Sequence, residues 1–264
     1  MEQRSRMRKI ISAVLLASCI ALTQCRDSVD NEVVAALPVH TLIYGGDVTL
    51  GRRTNEALFV PALRKRLFGD IQPLLKNADI ALVNGEGVMS TGGAFFDKGE
   101  PRPYMYRAHP LAIEPMSLAG IDIVTLGNNH SLDYGRLALR ETLDILQLAH
   151  IGYTGAGYNA ADAEMPCFLR VGDTVVAVIG ADFTNTMNTA AEKAAPGALY
   201  FNAFRSDKHH DEIVERLKGI FAKARRHADL VFLTPHWGDN WQGEPDPFLR
   251  KLARRIIDAG CDGI

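Results

Sequence analysis

The sequence predicts an α/β fold, a mixed or two-sheet sandwich with helices on the outside, and three observations predict it. Short apolar runs alternate with helical patterns, the signature of strands joined by helical crossovers. Four of those runs end in polar clusters: Thr41 to Tyr44 in Gly45-Gly46-Asp47, Ile80 to Val83 in Asn84-Gly85-Glu86, Ile123 to Leu126 in Gly127-Asn128-Asn129-His130, and Leu230 to Leu233 in Thr234-Pro235-His236-Trp237-Gly238. Finally, Gly172-Asp173 between Cys167–Val171 and Thr174–Ile179 is a two-residue hairpin signal, which a purely parallel sheet would not contain.

The amino terminus stands apart from this pattern. Arg4, Arg6, Arg8 and Lys9 precede the apolar stretch Ile10 to Leu22, which is short for a span of about 20 apolar residues. Residues 1–24 therefore read as an export segment, placing the protein in the cell envelope or periplasm. Leu16-Ala17-Ser18-Cys19 and Leu22-Thr23-Gln24-Cys25 each offer a lipoprotein-like cleavage site, so Cys19 or Cys25 could carry a lipid, with an uncleaved anchor or soluble secretion as alternatives. Residues 25–38 are polar and small and read as a tether; residues 39–264 form the domain. A net charge of -2, without a basic run elsewhere, excludes strong electrostatic attraction to nucleic acid. Cys167 and Cys261 are expected as separate thiols.

Within the domain, Gly45-Gly46 allows a tight turn that presents Asp47, and the loop that follows carries Arg52 and Arg53, whose forks suit an anionic substrate. A helix near Gly69 to Lys76 leads through Asp79 to the second strand. Ser90 to Pro103 is a long loop, Tyr104 to Arg107 a short strand, and Pro110 opens a helix. Asp133 is expected to cap the helix Tyr134 to Leu148, whose Leu139, Leu143 and Leu146 share a face. Ile151 to Gly157 reads as a strand and Gly turn; Gly155-Ala156-Gly157 is only half of a nucleotide fingerprint.

Asp182 to Gly197 has no clear period and reads as loop. Ser206 is expected to cap a helix that turns Ile213, Leu217, Ile220, Phe221 and Ala224 inward and leaves His209, His210 and His227 in water. His40, His109 and His150 lack a strand-end setting. Trp237 and Trp241 either stack on a sugar or base or cover the core rim. The helix Phe248 to Ala259 ends at Gly260, and Cys261-Asp262-Gly263-Ile264 reads as the opening of a fifth strand, with further site residues expected beyond it.

In open α/β sheets, ligands sit beyond the carboxyl ends of the strands, so the four polar clusters can converge on one site. Their carboxylate, amide and imidazole groups suit Mn, Fe, Zn or Mg, and the lack of thiolates argues against structural zinc. Asp47, Glu86, Asn129, His130 and His236 are the candidate ligands or acid/base groups, and Arg52, Asn84, Asn128 and Trp237 are candidate substrate contacts.

Four segments together resemble the CapA capsule-synthesis family, associated with poly-γ-glutamate, whose fold is similar to calcineurin-like metallophosphatases: Gly46-Asp47-Val48-Thr49-Leu50-Gly51-Arg52, Asn84-Gly85-Glu86, Asn128-Asn129-His130-Ser131-Leu132-Asp133-Tyr134-Gly135 and His236-Trp237-Gly238. The resemblance implies a four-layer α/β/β/α sandwich of two mixed sheets with a two-metal site at the strand ends. It implies that Asp47 binds one metal, that Glu86 stands for the bridging carboxylate, that Asn129 and His236 bind the second metal, and that His130 protonates a leaving group. Thr49 stands where metallophosphatases carry His, Glu86 where they carry Asp, and their Gly-His-His-type loop would fall beyond Ile264.

Two functions follow as expectations. One is an exported component of anionic-polymer synthesis or export, working beside membrane-bound synthase or export partners. The other is a metal-dependent hydrolase of phosphoesters or polymer.

Overall fold

Alternation along each strand decides the architecture. The computed structural model describes residues 39–97, 104–184, 189–202, 207–239, 241 and 243–264. The export segment, the tether, Cys19, Cys25 and the Ser206 cap lie outside them. Residues Thr41–Ile264 form one compact unit.

The chain begins with β1 (Leu42–Val48), α1 (Arg52–Leu58), α2 (Pro61–Arg64) and, after a 3-10 turn at Gly69–Ile71, α3 (Gln72–Asn77). Next come β2 (Ile80–Gly85), β3 (Val88–Met89), β4 (Arg107–Ala108), a 3-10 turn at Pro110–Ala112, α4 (Ile113–Leu118), β5 (Ile123–Thr125) and α5 (Gly135–Leu148). Then follow β6 (Gly152–Thr154), β7 (Ala156–Gly157), α6 (Ala160–Ala163), β8 (Cys167–Val171), β9 (Thr174–Asp182), β10 (Gly197–Ala198), α7 (Asp207–Ala224), β11 (Leu230–His236) and α8 (Pro247–Asp258).

One sheet has the order β1-β2-β5-β6 and is parallel throughout; the other has the order β11-β9-β8. In the second sheet β11 and β9 run parallel, while β8 and β9 form the hairpin expected at Gly172-Asp173. Only this sheet is mixed. Successive strand residues point to opposite faces. Ile80, Leu82 and Ile123 of the first sheet therefore meet Val176 and Val178 of the second in one buried layer. Ala81, Val83 and Val124 pack outward with Leu139, Leu143 and Leu146 of α5. On the far side, Ala177, Ile179, Val231 and Leu233 pack with Ile213, Leu217, Ile220 and Phe221 of α7 and Leu252 and Ile256 of α8. Helix, sheet, sheet and helix thus form the four layers.

The linker aspartates have a structural task. Asp79 accepts from the Thr41 N–H at 2.7 Å, Asp122 from Ala81 at 2.8 Å, Asp229 from Val175 at 2.7 Å and Asp262 from Val231 at 2.7 Å. Each aspartate's own N–H donates back to the carbonyl of the same residue. A two-way ring thus ties the start of each incoming strand to its neighbour, satisfying backbone groups where the ladder begins. Asp262 belongs to the expected fifth strand, and Gly263 indeed bridges to Phe232 in parallel.

At the opposite ends the two sheets touch. A Cβ on Gly127 would lie 2.5 Å from the Ala181 nitrogen, and Gly155, at φ +81°, has Gly127 and Gly180 backbone within 2.7 Å of where its Cβ would stand. Only glycine permits such an approach.

Two expectations fail. His210 is buried, 1% exposed, with its ring against Phe248. It lies three and seven residues before Ile213 and Leu217, so helical spacing turns it inward. Asp133 does not cap α5, as the site geometry below explains. Cys167 and Cys261 are free thiols, and among the described residues no helix is long and apolar enough to cross a membrane.

Two predictions follow from this packing. Asp122→Ala should lower the unfolding free energy by about 1.5–3 kcal/mol in urea titration, the usual worth of a hydrogen bond to a charged group. Burial between the sheets, reinforced by the Asp122 charge, pushes the Cys167 thiol up to about 11. Because the folded value is raised, the stabilising contribution is present below the ordinary thiol range and lost as pH rises through about 11. Peptide mapping after iodoacetamide treatment at mildly alkaline pH should show Cys167 modified far more slowly in folded protein than in urea.

Candidate functional site

The site grows from a bulge. Tyr44 pairs with Leu82 but Asp47, not Gly46, pairs with Asn84, so β1 carries one extra residue there, and Gly46 supplies the φ of +63°. The bulge places Asp47 Oδ1 2.8 Å from Asn84 Nδ2. Asn84 is 2% exposed, and its Oδ1 accepts from Thr125 Oγ1 at 3.2 Å and Asn128 Nδ2 at 3.0 Å. Those two donors fix the amide so that its N–H groups face Asp47 and His236, whose Nδ1 lies 3.3 Å away. His236 Nε2 then donates to Asn129 Oδ1 at 3.1 Å, leaving Nδ1 as the acceptor.

The second half of the site surrounds His130. Its Nδ1 donates to Asp133 Oδ2 at 2.9 Å, and that same oxygen accepts from the Tyr106 N–H at 2.6 Å. Asp133 is fully buried. It therefore holds the imidazole orientation instead of ending a helix, and α5 starts at Gly135, φ +78°, with no side-chain cap. The His130 N–H donates to Asn128 Oδ1 at 3.0 Å, and Asn128 Nδ2 also reaches the Gly85 carbonyl at 3.0 Å. His130 Nε2 faces Glu86 Oε1 at 3.6 Å, while Glu86 Oε2 accepts from Thr49 Oγ1 at 3.3 Å. The Tyr106 ring packs on His130 with centroids 4.4 Å apart. Burial and the Glu86 charge push the Tyr106 phenol up, opposed by Arg52.

The structure thus brings Asp47, Asn84, Asn128, Asn129 and His236 into one hydrogen-bonded chain, and Glu86, His130, Asp133 and Tyr106 into a neighbouring one. Asn84 and Asn128 are internal braces, engaged by backbone and side chains around them. Arg52 is exposed at the rim, with φ +54°. That left-handed conformation costs an L-residue about 1–2 kcal/mol. Trp237 packs partly on the core beside Phe183, at 5.6 Å between ring centroids, and Trp241 is 97% exposed.

Sequence reasoning missed Asp182. It pairs in register with His236, is fully buried, and accepts from the Thr184 N–H and Thr189 Oγ1, each at 2.8 Å. Burial pushes its carboxyl up, opposed by these hydrogen bonds and by His236. The available signal was its place at the end of the apolar run Thr174 to Ala181.

In kind, these donors fit a divalent cation. Metal–oxygen and metal–nitrogen bonds of about 2.0–2.2 Å place two ligands of one ion at most about 4.4 Å apart. Asp47 Oδ1 and the His236 Nδ1 lone pair lie 3.9 Å apart. Asn129 is on the other side of the ring, and the Asn84 amide stands where a bridging carboxylate was expected, while Glu86 faces His130. Among the described residues no three His, Cys, Asp or Glu side chains are grouped to hold an ion.

Residues 41–264 match the bacterial capsule synthesis protein family PGA_cap. The chain belongs to that family. Among PGA_cap relatives, the capsule biosynthesis protein CapA of Bacillus anthracis is 27% identical over 223 residues, 84% of this chain and 52% of its own length. The PGA biosynthesis protein CapA of Bacillus subtilis is 24% identical over 218 residues, 82% of this chain and 54% of its own. The chain spans about half the length of these relatives. The NAD nucleotidase of Haemophilus influenzae superposes over 76% of this chain and 34% of its own, with 14% identity and a TM-score of 0.38.

Replacing Asp133 by Ala should remove the acceptor that fixes His130. The expected result is a loss of about 1–3 kcal/mol in stability together with a shift or loss of the His130 Nδ1 proton resonance in nitrogen-resolved NMR.

Proposed function

We propose that this protein is an exported component of the synthesis or export of an anionic capsule polymer, poly-γ-glutamate or a similar chain, and that it handles the polymer at the strand-end site. The observation that carries this reading is the buried His130–Asp133 pair facing Glu86 in a chain of the capsule family. The basic and apolar residues of positions 1–24 support export to the envelope or periplasm, with Cys19 or Cys25 as the lipid attachment point. Membrane-bound synthase or export proteins are the partners this location implies.

Divalent ions, two of them in the whole protein and of the Mn, Fe, Zn or Mg class, are the cofactors this reading expects, with Asp47 and His236, 3.9 Å apart, near enough to share one ion. Bound there, they would clamp an oxyanion and acidify water. The chain's own residues supply the rest. Asp133 fixes the His130 tautomer so that a proton held at Nε2 faces the open side of the site, beside Glu86. Asn84 and Asn128 keep the strand ends in register around it. Arg52 and Trp237 flank the opening as substrate contacts.

A second reading is a metal-dependent phosphoesterase or polymer hydrolase, and the His130 arrangement favours it, because an oriented imidazole is suited to protonating a leaving group. The two readings are compatible in one protein.

Deleting the gene should remove surface polymer, and a plasmid copy should restore it, while the His130→Gln copy should restore less than a tenth. Unchanged polymer after deletion would sink the capsule reading. For the hydrolase, equilibrium dialysis with Mn should show binding by the full protein that Asp47→Ala or His236→Ala weakens at least tenfold. A full-length protein that takes up no divalent metal would rule it out.

A further inference from the structure

We infer that Arg52 is the anion-recognising side chain of this site, and that the group it takes is a carboxylate on a polyamide chain. The inference rests on the polymer reading above and deepens it by assigning the recognition to one residue. Several arginines are neutralised by carboxylates: Arg64 by Glu114, Arg136 by Glu192, Arg216 by Glu164, Arg225 by Asp262 and Arg255 by Asp211. Arg52 has no such partner among the described residues. Its guanidinium carbon lies 5.7 Å from the centre of the Tyr104 ring and 5.9 Å from that of Tyr106.

The Tyr106 phenol also takes a hydrogen bond from Arg52, and cation–π attraction to the two ring faces uses no N–H donor, so the remaining edge of the planar fork stays available. The backbone is committed to this placement. Arg52 adopts φ +54°, and Gly51 beside it is packed so closely on β4 that an added Cβ would lie 3.0 Å from the Arg107 nitrogen and oxygen. A strained non-glycine residue directly after a glycine packed on a second strand, presenting a charge with no carboxylate beside it, is the pattern of a side chain positioned for a ligand.

The position relative to His130 completes the argument. Tyr106 touches Arg52 on one side and packs on the His130 ring on the other, at 4.4 Å between centroids. An anion on the Arg52 fork is therefore one aromatic ring away from the imidazole. A carboxylate is planar and singly charged, which matches one guanidinium edge with two parallel hydrogen bonds. A chain carrying a carboxylate on every residue can seat one there while a neighbouring amide lies before His130.

The test is binding by the full chain, read as fluorescence anisotropy of a labelled decamer of γ-linked glutamate. Inorganic phosphate and the corresponding glutamine decamer serve as comparison ligands. Arg52→Gln is expected to weaken decamer binding at least tenfold and Arg52→Lys at least threefold, with an unchanged melting temperature since Arg52 is exposed. Arg170→Gln, exposed on β8 beside the start of β9, is expected to bind like wild type, and the glutamine decamer is expected not to bind. If Arg52→Gln binds the decamer as tightly as wild type, the Arg52 assignment is overturned and the polymer reading stands. If wild type binds neither decamer nor phosphate, the polymer reading itself fails. If it binds phosphate through Arg52 and ignores the decamer, the carboxylate assignment is overturned.

Discussion

The site depends on one backbone contact between two sheets. Gly127, just beyond β5, lies against Ala181 of β9 so closely that no side chain fits between them. Five residues of the candidate site stand close to that seam in the chain or in strand register. Asn128, Asn129 and His130 follow Gly127 directly, Asp182 follows Ala181, and His236 is registered beside Asp182. A wider seam would leave His236 on the second sheet out of reach of Asn129 and Asn84 on the first. The hydrogen bonds at 3.1 and 3.3 Å that join them exist because two glycine-lined backbones meet.

Asparagine is the connecting material. Asn84 and Asn128 are each able to donate and accept, and each is spent on several partners drawn from both chain ends of the site. A buried amide left unsatisfied would be costly, so these networks hold only when complete. They keep Asp47, which is half-exposed, and His130, which is nearly covered, in a fixed relation across the opening.

Much of this was legible in the sequence, and the failures have particular causes. The apolar runs, the Gly-Asp hairpin and the strand-end clusters located the two sheets and Asp47, Glu86, Asn129, His130 and His236, because burial alternates with fixed period and polar residues cannot continue a buried strand. Asp133 was misread because an aspartate before a helix is the usual cap, and only tertiary packing turns it toward His130. His210 was placed in water by its chemistry, although its helical phase matches Ile213 and Leu217. Asp182 was passed over because it begins a stretch without period. The central place of Asn84 depends on a one-residue bulge in β1, and no local pattern states which residue of a neighbouring strand a bulge will face.

The aspartate rings at the strand starts make the sheets additive. Each helix–linker–strand unit brings its own carboxylate and fastens itself to the previous strand through that strand's first free N–H, so its alignment is decided locally and not by the sheet as a whole. Asp262 applies the same fastening to β11 from outside, where Gly263 already bridges to Phe232. A fold assembled by such self-aligning modules can grow at an edge without disturbing the strands that hold the candidate site.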